Sequence, residues 1–202
     1  MSAPNFKLIL CDPNIALCQE FEKYFKFPEV EVVCGVFQHT DFDCVVSAAN
    51  SFGLMDGGID GAIIDHFGLA LQAEVQRRII HEYAGEQPVG TCMLVPATRA
   101  GVQKWVAHTP TMRVPKDING TENVYQAMKA MLMAVQKHNE NNPGSHIGTV
   151  VCCGLGTLSG SMPLEKAARQ MALAYAYFVL PRPQRLDWTY AVETARQIES
   201  SK

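Results

Sequence analysis

Charge is scarce in this chain of 202 residues. Asp, Glu, Lys and Arg make up 18% against 48% hydrophobic residues, a balance that excludes a solvated, disordered polymer. There is no basic excess either. A formal net charge of -3 gives no general attraction to nucleic acid or anionic lipid, and no sequence-specific nucleic-acid binding is expected. No apolar run reaches the length of a membrane span, and the opening MSAPNFKLIL lacks the basic start and cleavage site of a secretory signal. The reading is of a protein neither secreted nor inserted in a membrane, cytoplasmic or, in a eukaryote, nuclear.

Metal-ligand spacing is missing too. There is no CxxC and no pair of histidines at helical spacing, so the sequence asks for no metal, and it asks for no cofactor. Seven cysteines, an odd number, are scattered through apolar segments (Cys11, Cys34, Cys44, Cys92, Cys152, Cys153 among them) and read as reduced core thiols. Cys152 and Cys153 adjoin a Gly-rich loop, but no His or Asn nearby in sequence would activate a thiol there. No internal repeat or low-complexity segment is present.

What is present is an alternation of strand and helix patterns. Residues 6–11, 31–37, 43–47, 91–96, 104–109 and 147–153 read as strands, the second buried by its run of valines. Helices are expected from Asn14, a capping residue, to 24 or 25, then from 59 through 71 or 75 toward 83. Further helices are expected over 122–139, from Pro163 to 178, and from 186 or 187 to 198, with breaks at Pro110–Pro115 and Pro181–Pro183. Such alternation indicates a layered α/β sheet, mostly parallel in its middle.

Two Gly-rich loops leave strand ends and enter helices. The first runs through Asn50, Asp56, Gly57, Gly58, Ile59 and Asp60, and the second through Gly154, Leu155, Gly156, Thr157, Leu158, Ser159, Gly160 and Ser161. A helix N-terminus offers free N–H groups and a positive dipole end, a site for phosphate. Two such loops on one sheet edge would clamp a diphosphate. Neither carries the Lys-Ser or Lys-Thr of an ATPase loop, and the second misses the dinucleotide spacing by one residue. Asn50 and Asp60 add an amide and a carboxylate, which suggests chemistry on a sugar or its ester. His108 reads as a hydrogen-bonded core residue, Asp56 as solvent-facing or loop-stabilising, and Arg113 equally as a phosphate ligand or a surface ion pair.

These loops resemble those of the macro domain, a family whose members bind ADP-ribose and in several branches hydrolyse its ester or glycosidic links. Val46-Ser47-Ala48-Ala49-Asn50 is similar to the family's VNAAN strand end, and Asp56-Gly57-Gly58-Ile59-Asp60-Gly61-Ala62-Ile63 to its GGGVDGAI loop. The stretch 153–163 resembles its second loop, and the likeness covers roughly 35–175 in order. The resemblance implies a three-layer α/β/α sandwich with a mixed, centrally parallel sheet. It would be one domain over 1–202: a strand-helix-strand addition over 1–34, a core over 35–178 and a tail helix over 179–202.

Carried over by position, Asn50 would hold the distal ribose and Asp60 would orient or activate a water. Ala48 and Ala49 would line the strand end. Gly57, Gly58 and Ile59 would hold one phosphate, and the loop from Gly154 to Ser161 the other. The implied partner is ADP-ribose or an ADP-ribosylated substrate, and the implied activity is that of an ADP-ribosyl hydrolase or O-acetyl-ADP-ribose deacetylase. The family's early GDI turn, whose Asp meets the adenine amino group, is here Gly35-Val36-Phe37. Ser47 replaces the first Asn, Leu158 and Ser161 stand at positions usually small or Gly, and the usual aromatic over the ribose is missing. A non-catalytic reader module, and a degenerate scaffold with an altered ligand, therefore stand as alternatives.

Overall fold

Leu8 and Leu10 alternate with Ile9 and Cys11 to put one apolar row on each face of the first strand, and that strand organises the sheet. A computed structural model describes residues 4–181 and 183–202. Strand β1 (Lys7–Asp12) lies between β2 (Val30–Cys34) and β6 (Thr149–Cys152). The sheet continues through β3 (Cys44–Asn50) and β5 (Val102–Met112) to β4 (Met93–Arg99), in the order β2-β1-β6-β3-β5-β4. All pairings are parallel except β4 with β5, so the sheet is mixed and parallel at its centre.

Both faces are covered, as a central parallel sheet requires. Leu8, Leu10, Cys44, Val46 and Val150 share a core with helices α1 (Ile15–Tyr24), α4 (Asn123–Asn141) and α5 (Leu164–Val179). On the opposite face Ile9, Cys11, Val45, Val106 and Val151 pack under α2 (Gly58–Phe67) and α3 (Ala70–Tyr83). The result is the three-layer α/β/α sandwich. Asn14 caps α1 as expected, its side-chain oxygen accepting from Ala16 and Leu17 N–H. Helix α6 (Trp188–Ser200) lies on the outside of α5, held where Arg169 donates to the Ser200 carbonyl at 2.8 Å. No described helix is long and apolar enough to cross a membrane.

Several local expectations need correction. The single helix over 59–83 is two: Gly68 adopts φ 95, closes α2 by donating to the Ile64 carbonyl, and starts a new direction for α3. The second strand ends at Cys34, and 37–39 form a 3-10 turn. Its valines are only half-buried, because β2 is an edge strand whose pairing is with β1 alone. The fifth strand runs past Pro110 to Met112 where a loop was expected. Pro110 is tolerated there because the register slips beside it: Ala49 pairs with Pro110 but Asn50 with Met112, leaving Thr111 as the extra residue of a bulge. The expected break at 181–183 includes residue 182, which lies outside the described residues.

Candidate functional site

The carboxyl ends of β1, β6 and β3 open on one side of the sheet, and there a crevice of about 460 Å³ runs between the two Gly-rich loops. That volume suits a nucleotide-sized molecule. Of the residues expected to bind ligand, Ala48, Ala49, Asn50, Gly57, Gly58, Ile59, Asp60, Gly154, Gly156, Thr157, Leu158, Ser159 and Gly160 line it. Leu155 and Ser161 do not. Leu155 is fully buried in the α4/α5 core, and the Ser161 N–H is spent on the Leu158 carbonyl at 2.9 Å.

The first loop is shaped by Asn50. Its side-chain oxygen accepts from Phe52 and Leu54 N–H (3.0 and 3.3 Å), and its amide donates to the Leu54 carbonyl at 2.7 Å. This is the strand-end turn that Asn favours. One amide hydrogen remains for a ligand. Gly57 precedes α2, whose opening residues Gly58, Ile59 and Asp60 have no intrahelical acceptor for their N–H groups.

Asp60 sits in that first turn at the crevice floor, 6% exposed, its Oδ1 accepting from the Ser47 hydroxyl at 2.6 Å. Burial pushes its carboxyl up to about 6; the Ser47 hydrogen bond opposes this and the Asp56 charge adds to it. A carboxylate that changes protonation near neutrality suits proton transfer.

The second loop folds upon itself. Met162 donates to the Gly156 carbonyl and Ile118 to the Gly160 carbonyl (3.1 and 2.8 Å). A methyl group on Gly154 would collide with Leu17 and Thr157, and one on Gly160 would stand 2.5 Å from the Gly156 oxygen. Only glycine fits this approach of loop to core. Leu158, 73% exposed, overhangs the first loop: its Cδ1 lies 3.6 Å from where a Gly58 Cβ would stand. The two loops thus approach each other over the middle of the crevice.

The wall formed by the N-terminal segment escaped sequence reasoning. Cys11, Asp12, Pro13 and Asn14 line the crevice beside Gly35, Val36, Phe37 and Gln38. Asp12 ties this wall to the second loop, its carboxylate accepting from Gly154 N–H at 3.1 Å and Asn14 N–H at 2.9 Å. The signal available was an Asp-Pro-Asn at the end of a strand. Its place beside β6 depends on a pairing between residues some 140 apart.

Among the described lining residues, three are carboxylates (Asp12, Asp56, Asp60) and none is Lys, Arg or His. Any anion held here is held by backbone N–H groups and helix dipoles. Arg113 is turned away into an ion pair with Glu86 at 2.5 Å. Cys153 lines the crevice, where burial raises its thiol pKa far above the usual range and favours the protonated thiol. His108 is fully buried; its ring meets Gln87 at 2.7 Å through Nδ1, while Nε2 has no partner. The expectation of a fully hydrogen-bonded histidine is thus half met.

Comparison with known proteins agrees with this fold. The model of the family described as Macro domain matches residues 46–171. A protein of Aquifex aeolicus (strain VF5), described as an uncharacterized protein, is 33% identical over 143 residues, covering 71% of this chain and 78% of its own length. The macrodomain of Mycobacterium tuberculosis DarG superposes with a TM-score of 0.55 at 18% identity, over 72% of this chain and 88% of that one. A Trypanosoma brucei macrodomain in complex with ADP gives 0.52 at 15% identity, over 96% and 68%.

Proposed function

The chain belongs to the macro domain family, and on that premise we propose that its crevice binds ADP-ribose and hydrolyses an ester or glycosidic bond at the distal ribose. The observation that carries this reading is Asp60: a carboxyl raised to about 6 at the floor of a crevice clamped by two phosphate-type loops. The diphosphate would lie between the opening turn of α2 and the loop 154–160, met by N–H groups. That placement needs no cation, which fits a lining without Lys or Arg. With one Asn50 amide hydrogen given to the Leu54 carbonyl, the other would position the ribose.

In the reaction Asp60 takes a proton from a water whose oxygen attacks the anomeric carbon of a glycosidic link or the acyl carbon of an ester. The bond to the leaving oxygen or nitrogen breaks, that atom collects a proton from solvent, and Asp60 returns its own proton to solvent. Burial, with the Asp56 charge adding to it, keeps Asp60 a stronger base than an exposed carboxylate.

A second reading, a non-catalytic reader of ADP-ribosylated protein, is favoured by the near-complete burial of Asp60, only 6% exposed. Release of ADP-ribose from ester-linked and glycosidic ADP-ribosyl peptides separates the two. Hydrolysis by the natural chain, lost in Asp60→Ala while ADP-ribose still binds, supports the enzyme. Binding without turnover in the natural chain supports the reader, and equal turnover in Asp60→Ala removes Asp60 from the chemistry.

A further inference from the structure

Under the crevice floor lies a polar group that the reaction above does not use. His108 is the residue directly across the β3–β5 ladder from Ser47. Val45 and Val106, two residues before each, share one apolar core, so by strand alternation the Ser47 and His108 side chains emerge on that same face, beneath α2. Both are 0% exposed.

The proton on the ring can be placed. Gln87 Nε2 donates to the His108 carbonyl at 3.1 Å, so its Oε1 must accept from His108 Nδ1–H at 2.7 Å. Nε2 is therefore a bare acceptor, sealed in the core without a donor. Buried polar atoms are rarely left so, because the desolvation cost is uncompensated. The rotatable hydroxyl of its cross-strand partner Ser47, on the same face, is given to Asp60.

We propose that Asp60, Ser47 and His108 form a buried relay in which the Ser47 hydroxyl turns from Asp60 to His108 Nε2 when Asp60 takes up a proton. With Asp60 ionised, Ser47 O–H donates to its Oδ1. With Asp60 protonated, the carboxyl O–H donates to Ser47 Oγ, and the Ser47 hydrogen points to His108 Nε2. One proton is gained, and it stays on Asp60. His108 remains neutral throughout, since burial holds its pKa down to about 3. The other ionisable groups facing Asp60 are Asp56 from the first loop and Cys153, the residue just past β6. Asp56 favours the protonated carboxyl, and Cys153 stays a thiol.

The relay satisfies the orphaned nitrogen only after proton uptake, so it favours the step a general base performs. His108 is thus a positioning residue acting through Ser47, an inference that rests on Asp60 being the base. Its test needs no turnover. In protein labelled at histidine nitrogen and aspartate carboxyl carbon, NMR follows His108 Nε2 and Asp60 across pH 4 to 8 without substrate. The Nε2 resonance should move toward its hydrogen-bonded position as pH falls, in step with the Asp60 carboxyl. In His108→Phe the Asp60 midpoint should fall by about half a pH unit, and His108→Gln, which keeps an acceptor, should restore it. An Nε2 resonance that stays flat through the Asp60 titration would overturn the relay, and if the Phe variant does not fold, that resonance decides alone. Failure of hydrolysis would strike the functional reading and leave this titration intact.

Discussion

A single buried carboxyl ties function to stability in this molecule. Asp60 rises from an ordinary 3.8 to about 6 on folding. The folded state therefore holds the proton more tightly, and stability falls as pH climbs from about 4 to 6, by about 3 kcal/mol in all. His108 has the opposite sign. Its folded pKa is depressed, so it loses stability as pH falls from about 6.5 toward 3. Between pH 4 and 6 the two slopes oppose each other. Asp60→Asn should expose the His108 slope, giving a protein more stable than the natural one at pH 7.5, with stability that declines as pH drops below 6. Thermal melts across that range read this directly, and an Asn variant less stable at pH 7.5 would contradict the burial penalty. The same ionisation predicts hydrolysis rising with pH through about 6, measured as initial rates of ADP-ribose release.

At the scale of elements, glycines in the two loops have different jobs. A methyl group on Gly154 collides with Leu17 of α1 and Thr157, whereas Gly57 is extended with nothing within 4 Å of an added Cβ. Gly154→Ala should cost about 1–3 kcal/mol in urea denaturation and weaken ADP-ribose binding. Gly57→Ala should stay within about 0.5 kcal/mol of the natural chain. Equal losses in both would mean that the second loop is not braced on α1. These loops were legible in the sequence because their glycines, Asn50 and Asp60 are local and sit between a strand and a helix. What was not legible was non-local. Residues 1–34 read as a strand-helix-strand, and that local pattern carries no trace of the pairing of β1 with β6 that sets Asp12 against Gly154. The turn at Gly68 was hidden because apolar periodicity runs through it, and the bulge at Thr111 because Pro110 read as the end of the strand. His108 looked like an ordinary core residue, and only the packed structure leaves its Nε2 alone.

Taken whole, the molecule is mildly acidic, with a net charge of -3, and its crevice adds three carboxylates and no described cation. A diphosphate arriving there meets overall repulsion, relieved at contact by backbone dipoles. Affinity for ADP-ribose should then hold steady or tighten as salt rises toward about 0.5 M, because screening removes repulsion. A site built on Lys or Arg would weaken instead, and a marked loss of affinity with salt would show that a basic side chain does the holding.

The most direct measurement is calorimetric titration of the natural chain with ADP-ribose, with AMP and NAD as comparisons. A dissociation constant in the micromolar range, about -8 kcal/mol, with clear preference for ADP-ribose is the predicted result. No detectable heat, together with no thermal shift, would contradict it: the crevice would then keep the shape of its family under an overhanging Leu158, without the ligand.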